Sequence, residues 1–228
     1  EMCIRVEALG GFVSYKNNPD GSRSPYELNV NYLDALGDPE DVDEPNTTIA
    51  DRFLASQSIM LALKGVPGIY YHSLLGSRGW KEGVRQTGRN RTINRKKLDL
   101  DVLLRELGDT ATLRHKVFHG YLEMLRVRRS AANGAFDPQG WQIILDIDPR
   151  LMSILRQTPD QRVSVLCLTN VTQENILVDL TDLGLPIMDD ANWRIILSRN
   201  SQMHDNSKGR LIDVGKYGVI WLISQFQD

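Results

Sequence analysis

Two stretches of this 228-residue sequence gather side chains able to hold or transform a polar ligand. One is the turn-rich segment around NNPDGSRSPYEL, which carries Asp20, Arg23, Tyr26 and Glu27; the other is GRNRTINR, Gly88 to Arg95, with Asn94 and a cluster of arginines. Asp20 and Glu27 are the only acids in the first segment. Acid–base or nucleophilic work built on them needs a supporting histidine or carboxylate that the sequence does not place nearby, so a turn role and a contact role are the better readings. A polar surface loop would look the same from composition alone. His115 and His119 stand at i and i+4, the spacing of metal ligands on one helix face, but the run HKVFH lacks the glutamate of a zinc-protease helix and reads as a structural pair. His72 follows the apolar run Val66 to Tyr71 where barrel enzymes place site residues, and a hydrogen-bonded rim histidine explains it equally well. Cys3 and Cys167 are the only cysteines and lie far apart, so neither a disulfide framework nor a cysteine metal site is expected.

The elements that must position these residues fall into two textures. Glu1 to Leu9 reads as the tail of an amphipathic helix before Gly10-Gly11, and the lack of an initiator methionine suggests a chain cut from something larger. From Gly11 to Pro45 the Gly, Pro, Asn, Asp and Ser content predicts a long structured loop, within which Tyr26 to Leu36 could be a short helix or an extended piece. Thr48, with Asp51 three residues on, predicts a capped helix whose apolar positions run to Leu63 and which Gly65 ends. Val66 to Tyr71 then reads as a strand buried on both faces, followed by a long loop from Leu74 to Arg95. Asp99 or Asp101 caps a short helix ending at Gly108, and Asp109 or Thr110 opens a longer one to Arg129. Beyond Gly134 the texture is short alternating strands: 141–147, 151–157, 163–169, 176–180, 193–197, 210–214 and 217–223. Val163 to Thr169 is apolar on both sides and is expected to be central.

Composition narrows the function classes. A 41% hydrophobic, 25% charged chain with a net charge of −2 is ordinary for a globular protein and offers no nucleic-acid footprint. No stretch is long and apolar enough for a membrane helix, no secretory signal opens the chain, and two unpaired cysteines suit a reducing cytoplasm. The Asn-x-Thr triplets at Asn46, Asn90 and Asn170 carry no weight without such a signal.

Three motifs, GSRSPYELNVNYLDAL (Gly21 to Leu36), KGVPGIYY (Lys64 to Tyr71) and GRNRTINR (Gly88 to Arg95), resemble the sucrose phosphorylase group of the α-amylase superfamily, glycoside hydrolase family 13. The resemblance is strongest to its sucrose-6-phosphate and glucosylglycerate phosphorylase branches and runs over nearly the whole chain in the right order. It implies an eighth barrel strand at GVPGIYY, an INR-containing loop after it, and a closing antiparallel β domain. It also implies retaining glucosyl transfer to phosphate, giving α-glucose 1-phosphate, with no cofactor and no metal. The three catalytic acids of that group have no counterpart here, so no residue of this chain is expected to be catalytic. A full barrel needs about 250 residues, more than the residues ahead of the strand-rich part supply.

Carried over by position, Tyr26 is implied as a phosphate contact in a loop that folds over the acceptor site and also holds Glu27. Arg95 resembles the arginine that holds hydroxyls of the bound glucosyl ring, with Asn94 beside it to orient it, and His72 completes the candidate set. Sucrose phosphorylases that use free fructose have an Asp two residues before this tyrosine and a Gln after it; Ser24 and Glu27 stand here instead, which weakens plain sucrose as substrate. Arg23 could meet a phosphate or carboxylate on the acceptor through its planar fork, which favours a sugar phosphate or glycerate. Arg89 and Arg91 are read as surface charge.

The expected architecture is therefore α/β plus all-β: residues 1–133 as the C-terminal segment of a (β/α)8 barrel carrying acceptor-site loops, and 134–228 as a small antiparallel β-sandwich. The expected partners are a small carbohydrate and inorganic phosphate, with no nucleic acid and no membrane. A buried strand without barrel neighbours needs cover, and pairing with a second copy is one way to supply it. Two other readings stay open: an α-glucosidase or transglucosidase of the same superfamily, which phosphate dependence would separate, and a non-catalytic carbohydrate-associated β module.

Overall fold

A computed structural model describes residues 1–180, 193–206 and 209–225. They form two compact units, one of residues 1–50 and 69–118, the other of 51–68 and 119–228.

The first unit opens with helix α1 (Met2–Ala8), stopped at Gly10, whose φ of 75° suits a residue without Cβ. The expected long loop after it is instead a hairpin, β1 (Phe12–Asn17) paired antiparallel with β2 (Arg23–Asn29), with a register shift between Ser14 and Tyr15. Of NNPDGSRSP only residues 18–22 make the hairpin's tip, while Asn17 and Arg23 to Pro25 already pair as strand. Asp20 accepts bonds from the Ser22 amide and hydroxyl, Gly21 takes a φ of 82°, and the strands run on either side. Those two Ser22 bonds, the hydroxyl's first, also hold the Asp20 carboxyl below its usual range.

The ambiguous Tyr26–Leu36 segment is both things at once: it finishes β2 and then forms the one-turn helix α2 (Tyr32–Ala35), capped by the Asn31 side chain, which accepts from the Leu33 amide at 3.0 Å. Asp34 of α2 accepts from the Gly79 amide at 2.7 Å and from Arg78 at 2.9 Å, fixing the segment that leads into α5 (Lys81–Thr87). The expected loop from Leu74 to Arg95 is thus largely helical, with α5 followed by a 3-10 turn at Asn90–Asn94 whose Ile93 is buried. Helix α6 (Leu100–Gly108) is capped by Asp99, which accepts from the Val102 amide at 3.0 Å and is one of the two caps, Asp99 or Asp101, that the sequence allows.

Three boundaries differ from expectation. The helix predicted from Thr48, α3, spans Asn46–Ala62 and begins directly after Pro45, so Thr48 lies inside it. The long helix α7 (Leu113–Arg126) is opened by Thr112, whose hydroxyl accepts from the His115 amide at 3.1 Å, while Asp109 turns the chain just before it. A π turn, Val127–Ala131, carries the helix on past Arg126. The larger correction concerns Val66 to Tyr71, which forms no strand: Val66 is 87% exposed, and Tyr71 begins the short helix α4 (Tyr71–Leu74). An apolar run becomes a buried strand only when neighbouring strands satisfy its backbone on both sides. Among the described residues none pairs with it.

The second unit is built on one antiparallel sheet of six strands: β3 (Trp141–Leu145), β4 (Leu151–Gln157), β5 (Val163–Asn170), β6 (Ile176–Asp179), β7 (Arg194–Asn206) and β8 (Gly209–Gln225). The order is β3-β4-β5-β8-β6, with β7 along the other side of β8. The segments read as separate strands at 210–214 and 217–223 are one long strand. Its first half pairs with β6 and its second with β5. Near the join of the halves, Asn200 and Tyr217 both take positive φ and the β7–β8 register slips, and the two backbones run so close that a Cβ on Gly215 would sit 2.4 Å from the Asn200 carbonyl oxygen.

β5 is central and buried on both faces, as its sequence predicts. Leu166 and Leu168 join Leu155, Ile212, Ile220 and Leu222 in the main apolar cluster, while Thr169 on the opposite face meets Ser58 of α3 at 2.7 Å. On that face Arg156 is wholly buried and its guanidinium donates to the carbonyls of Ala62, Asp137 and Trp141. Arg128 and Arg156 both stack on the Phe136 ring, at 5.1 and 5.5 Å. The α/β-plus-all-β class read from the sequence is the one observed, and no helix of the described residues is long and apolar enough to cross a membrane.

Candidate functional site

The first unit carries a cleft of about 780 Å³. One wall is the hairpin. β1 supplies Ser14 and β2 supplies Glu27, its register partner, together with Tyr26, which is 57% exposed. The other wall is the end of α5, where Gly88 turns the chain at a φ of 65°, and the 3-10 turn after it, with Arg89, Asn90, Arg91 and Arg95. A 3-10 turn advances three residues per revolution, so a short run of alternating polar residues presents several of them to one side.

The two walls are cross-linked by side chains. Ser14 Oγ accepts from the amide groups of Asn29 at 2.9 Å and Asn90 at 3.3 Å. Asn94 donates to the Val30 carbonyl at 3.1 Å, and Arg91 Nε donates to both Glu27 carboxylate oxygens at 2.8 and 2.9 Å. Glu27, through that hydrogen bond and then through its charge, raises the Arg91 pKa, with Tyr26 adding to it. Arg89 and Arg95 form no ion pair among the described residues.

Of the residues expected at the site, Tyr26, Glu27 and Arg95 line this one cleft. The others lie outside its lining. Arg23 sits at the start of β2 with its guanidinium 5.0 Å above the Tyr15 ring. Asn94 turns its amide to Val30, its Oδ1 is buried without a partner, and its backbone carbonyl accepts from the Tyr70 hydroxyl, so it braces the segment just before Arg95. His72 is 2% exposed in α4, with Nδ1 3.0 Å from Ser77 Oγ and Nε2 buried and unpartnered. Its ring lies 4.0 Å from that of Tyr71 and 5.4 Å from that of Tyr70. Burial, and behind it the charge of Arg114, push its pKa below the usual imidazole value.

Sequence reasoning missed Ser14, Asn90 and above all Arg91. The Glu27–Arg91 contact spans 64 residues and exists only because the hairpin and the 3-10 turn meet. The one signal that pointed to it was a lone carboxylate in a loop otherwise short of partners.

Chemically, the cleft presents three guanidinium groups, a phenol, hydroxyls and amides against a single carboxylate, which is itself ion-paired. It can hold an oxyanion or sugar hydroxyls. Retaining glycosyl transfer needs two carboxylates about 5 to 5.5 Å apart, and among the described residues Glu27 is the only carboxylate that lines this cleft. No group of three metal-ligating side chains occurs among the described residues, and His115 directs Nδ1 to the Leu107 carbonyl at 2.7 Å.

No protein-family model matches the chain. Over 227 residues, 97% of its length, it is 52% identical to a glucosylglycerate phosphorylase of Spirochaeta thermophila, of which it covers 37%. It is 44% identical over 80% of its length to a glucosylglycerate phosphorylase of Escherichia coli, covering 32% of that protein. The chain therefore spans about a third of the length of the curated relatives it matches. Among solved structures it superposes on sucrose 6F-phosphate phosphorylase from Thermoanaerobacter thermosaccharolyticum with a TM-score of 0.55 at 21% identity, covering 75% of this chain and 30% of that one, a likeness of fold alone. The resemblance carried by the three motifs thus extends along the chain: its sequence is similar to proteins named glucosylglycerate phosphorylase, and its fold is like part of that of a sucrose 6F-phosphate phosphorylase.

Proposed function

We propose that this chain forms the acceptor-side and glycone-side contacts of a retaining glucoside phosphorylase, an enzyme that moves a glucosyl unit from glucosylglycerate, sucrose 6-phosphate or sucrose to phosphate and releases α-glucose 1-phosphate. The observation that carries the reading is the convergence of Tyr26, Glu27 and Arg95, from segments far apart in sequence, on one cleft rich in oxyanion-binding groups. The 52% identity to a glucosylglycerate phosphorylase favours glycerate as the acceptor. In this reading Tyr26 contacts phosphate, Arg95 holds glucosyl hydroxyls, Asn94 sets the backbone from which Arg95 projects, and Arg23 and His72 act from outside the cleft lining. Residues 1–133 serve as the barrel segment and 134–228 as the closing β domain. The catalytic carboxylates belong to sequence beyond these 228 residues, which by itself has no activity. A cytoplasmic location and pairing with a second copy are part of the same proposal and rest on sequence reasoning.

The test is release of glucose 1-phosphate by the 228-residue chain and by a protein of the relatives' full length that contains it, each with phosphate and one donor at a time. Phosphate-dependent release by the long protein and none by the short one is expected. Turnover by the short chain, or hydrolysis by the long one without any need for phosphate, sinks the proposal.

A further inference from the structure

The cleft's single carboxylate does not face solvent as a free contact: Glu27 grips Arg91. Arg91 Nε–H is shared between both Glu27 oxygens at 2.8 and 2.9 Å, yet the two side chains remain 58% and 28% exposed. A guanidinium has five N–H donors and Nε carries only one, so four further donors on the terminal nitrogens stay within reach of a second acceptor. Arg89 and Arg95 share the cleft and have no ion pair of their own among the described residues. Three positive groups against one carboxylate give a lining with a surplus of positive charge. The pair is also cheap to open, because ion pairs between solvent-exposed side chains contribute little to stability.

We propose that Glu27 is an internal stand-in for an oxyanion: it occupies Arg91 until the carboxylate or phosphate group of a ligand replaces it, so that the Glu27–Arg91 pair sets how strongly the cleft prefers anionic over neutral ligands. The exchange is balanced. One carboxylate–guanidinium contact is broken and one oxyanion–guanidinium contact is made, while Arg89 and Arg95 supply the added attraction that lets the ligand win. A neutral ligand offers Arg91 nothing comparable to Glu27 and leaves the pair closed. Arg91, which sequence alone assigns to surface charge, thereby becomes a specificity residue. Glu27 becomes the competitor that keeps weak anions out.

The identity of the ligand rests on the phosphorylase reading, but the anion exchange does not, and the experiment separates them. Isothermal titration calorimetry on the 228-residue chain uses sodium phosphate, sodium glycerate and neutral glycerol, at fixed ionic strength, for wild type, Glu27→Gln, Arg91→Gln and the double variant. Far-UV circular dichroism confirms that each variant is folded. Removing the internal competitor is expected to tighten binding of at least one of the two anions by about threefold to tenfold, and Arg91→Gln to weaken it by about tenfold. The double variant should behave like Arg91→Gln, and glycerol should respond to none of them. The anion with the larger gain in Glu27→Gln names the group the cleft is built for. Glu27→Gln that binds neither anion, or binds them no tighter than wild type, overturns the proposal, as does Arg91→Gln that binds them unchanged. Anion exchange in a chain whose full-length form needs no phosphate would refute the phosphorylase reading and leave this one standing.

Discussion

Arginine appears in two settings in this molecule. In the second unit Arg156 is wholly buried, its guanidinium 5.5 Å from the centre of the Phe136 ring, and it donates to three backbone carbonyls. In the first unit Arg89, Arg91 and Arg95 line an open cleft, and of these only Arg91 has an ion-pair partner among the described residues. Burial with every guanidinium nitrogen hydrogen-bonded to the backbone turns a charged side chain into a structural bolt. Exposure with donors left over leaves the same side chain able to meet a ligand. Residue type does not separate the two settings; the accounting of donors and acceptors does.

If the contrast is real, the largest stability loss lies at Arg156. Arg156→Leu removes three donors and leaves the carbonyls of Ala62, Asp137 and Trp141 unsatisfied at a buried position. We expect a loss of about 3 to 4 kcal/mol in urea unfolding, since each buried acceptor left without a partner costs about 1 kcal/mol or more and the packing on Phe136 changes as well. A loss below about 1 kcal/mol would mean that the carbonyls find other partners and that the guanidinium is no bolt.

The same divide should appear in thiol chemistry. Cys167 is buried on the face of β5 that also carries Thr169, and burial pushes its thiol pKa far above the usual range, whereas Cys3 is partly exposed on α1. A thiol-specific disulfide reagent at pH 8 should titrate Cys3 promptly and Cys167 only after denaturant is added. Two fast-reacting thiols in the native protein would show that the β unit opens far more readily than its packing suggests.

How much of this was legible in the sequence follows the same line. β4 was read with its observed ends and the central place of β5 was foreseen, because period-two alternation and two-sided apolar character are local properties of the chain. The break read between 214 and 217 was a bulge within one strand, since a turn composition and a bulge composition look alike until the partner strand is known. Val66 to Tyr71 reads as a strand for good local reasons and is not one here, because strand formation depends on partners that composition cannot name. At the candidate site, Tyr26, Glu27 and Arg95 were named through motif resemblance, and in the structure all three line one cleft. Arg91 was passed over because its meaning lies in a contact 64 residues away.

His72 tests the first unit's own interior. Its pKa is depressed by burial, so the unfolded chain takes up a proton at a higher pH than the folded one does. Its contribution to stability is fully present above about pH 6.5, the unperturbed imidazole value, and is lost progressively as pH falls below that toward the lower folded value. Unfolding free energy measured from pH 8 to pH 5 should decline in wild type, and the decline should be shallower in His72→Gln. Parallel curves would place the acid sensitivity elsewhere.

The smallest stability effect is expected where the binding effect is largest. Arg91→Gln breaks an ion pair whose partners are both solvent-accessible, and such pairs contribute little to stability. Its urea midpoint should therefore sit close to that of wild type, while its affinity for phosphate or glycerate falls. That dissociation of stability from binding is what separates the cleft arginines from Arg156, where the loss of a guanidinium must register in stability. A marked fall in the urea midpoint of Arg91→Gln would show that the Glu27–Arg91 pair holds the hairpin against the 3-10 turn. The cleft would then be a structural seam, and the division between bolt and binding group would fail at the residue that defines it.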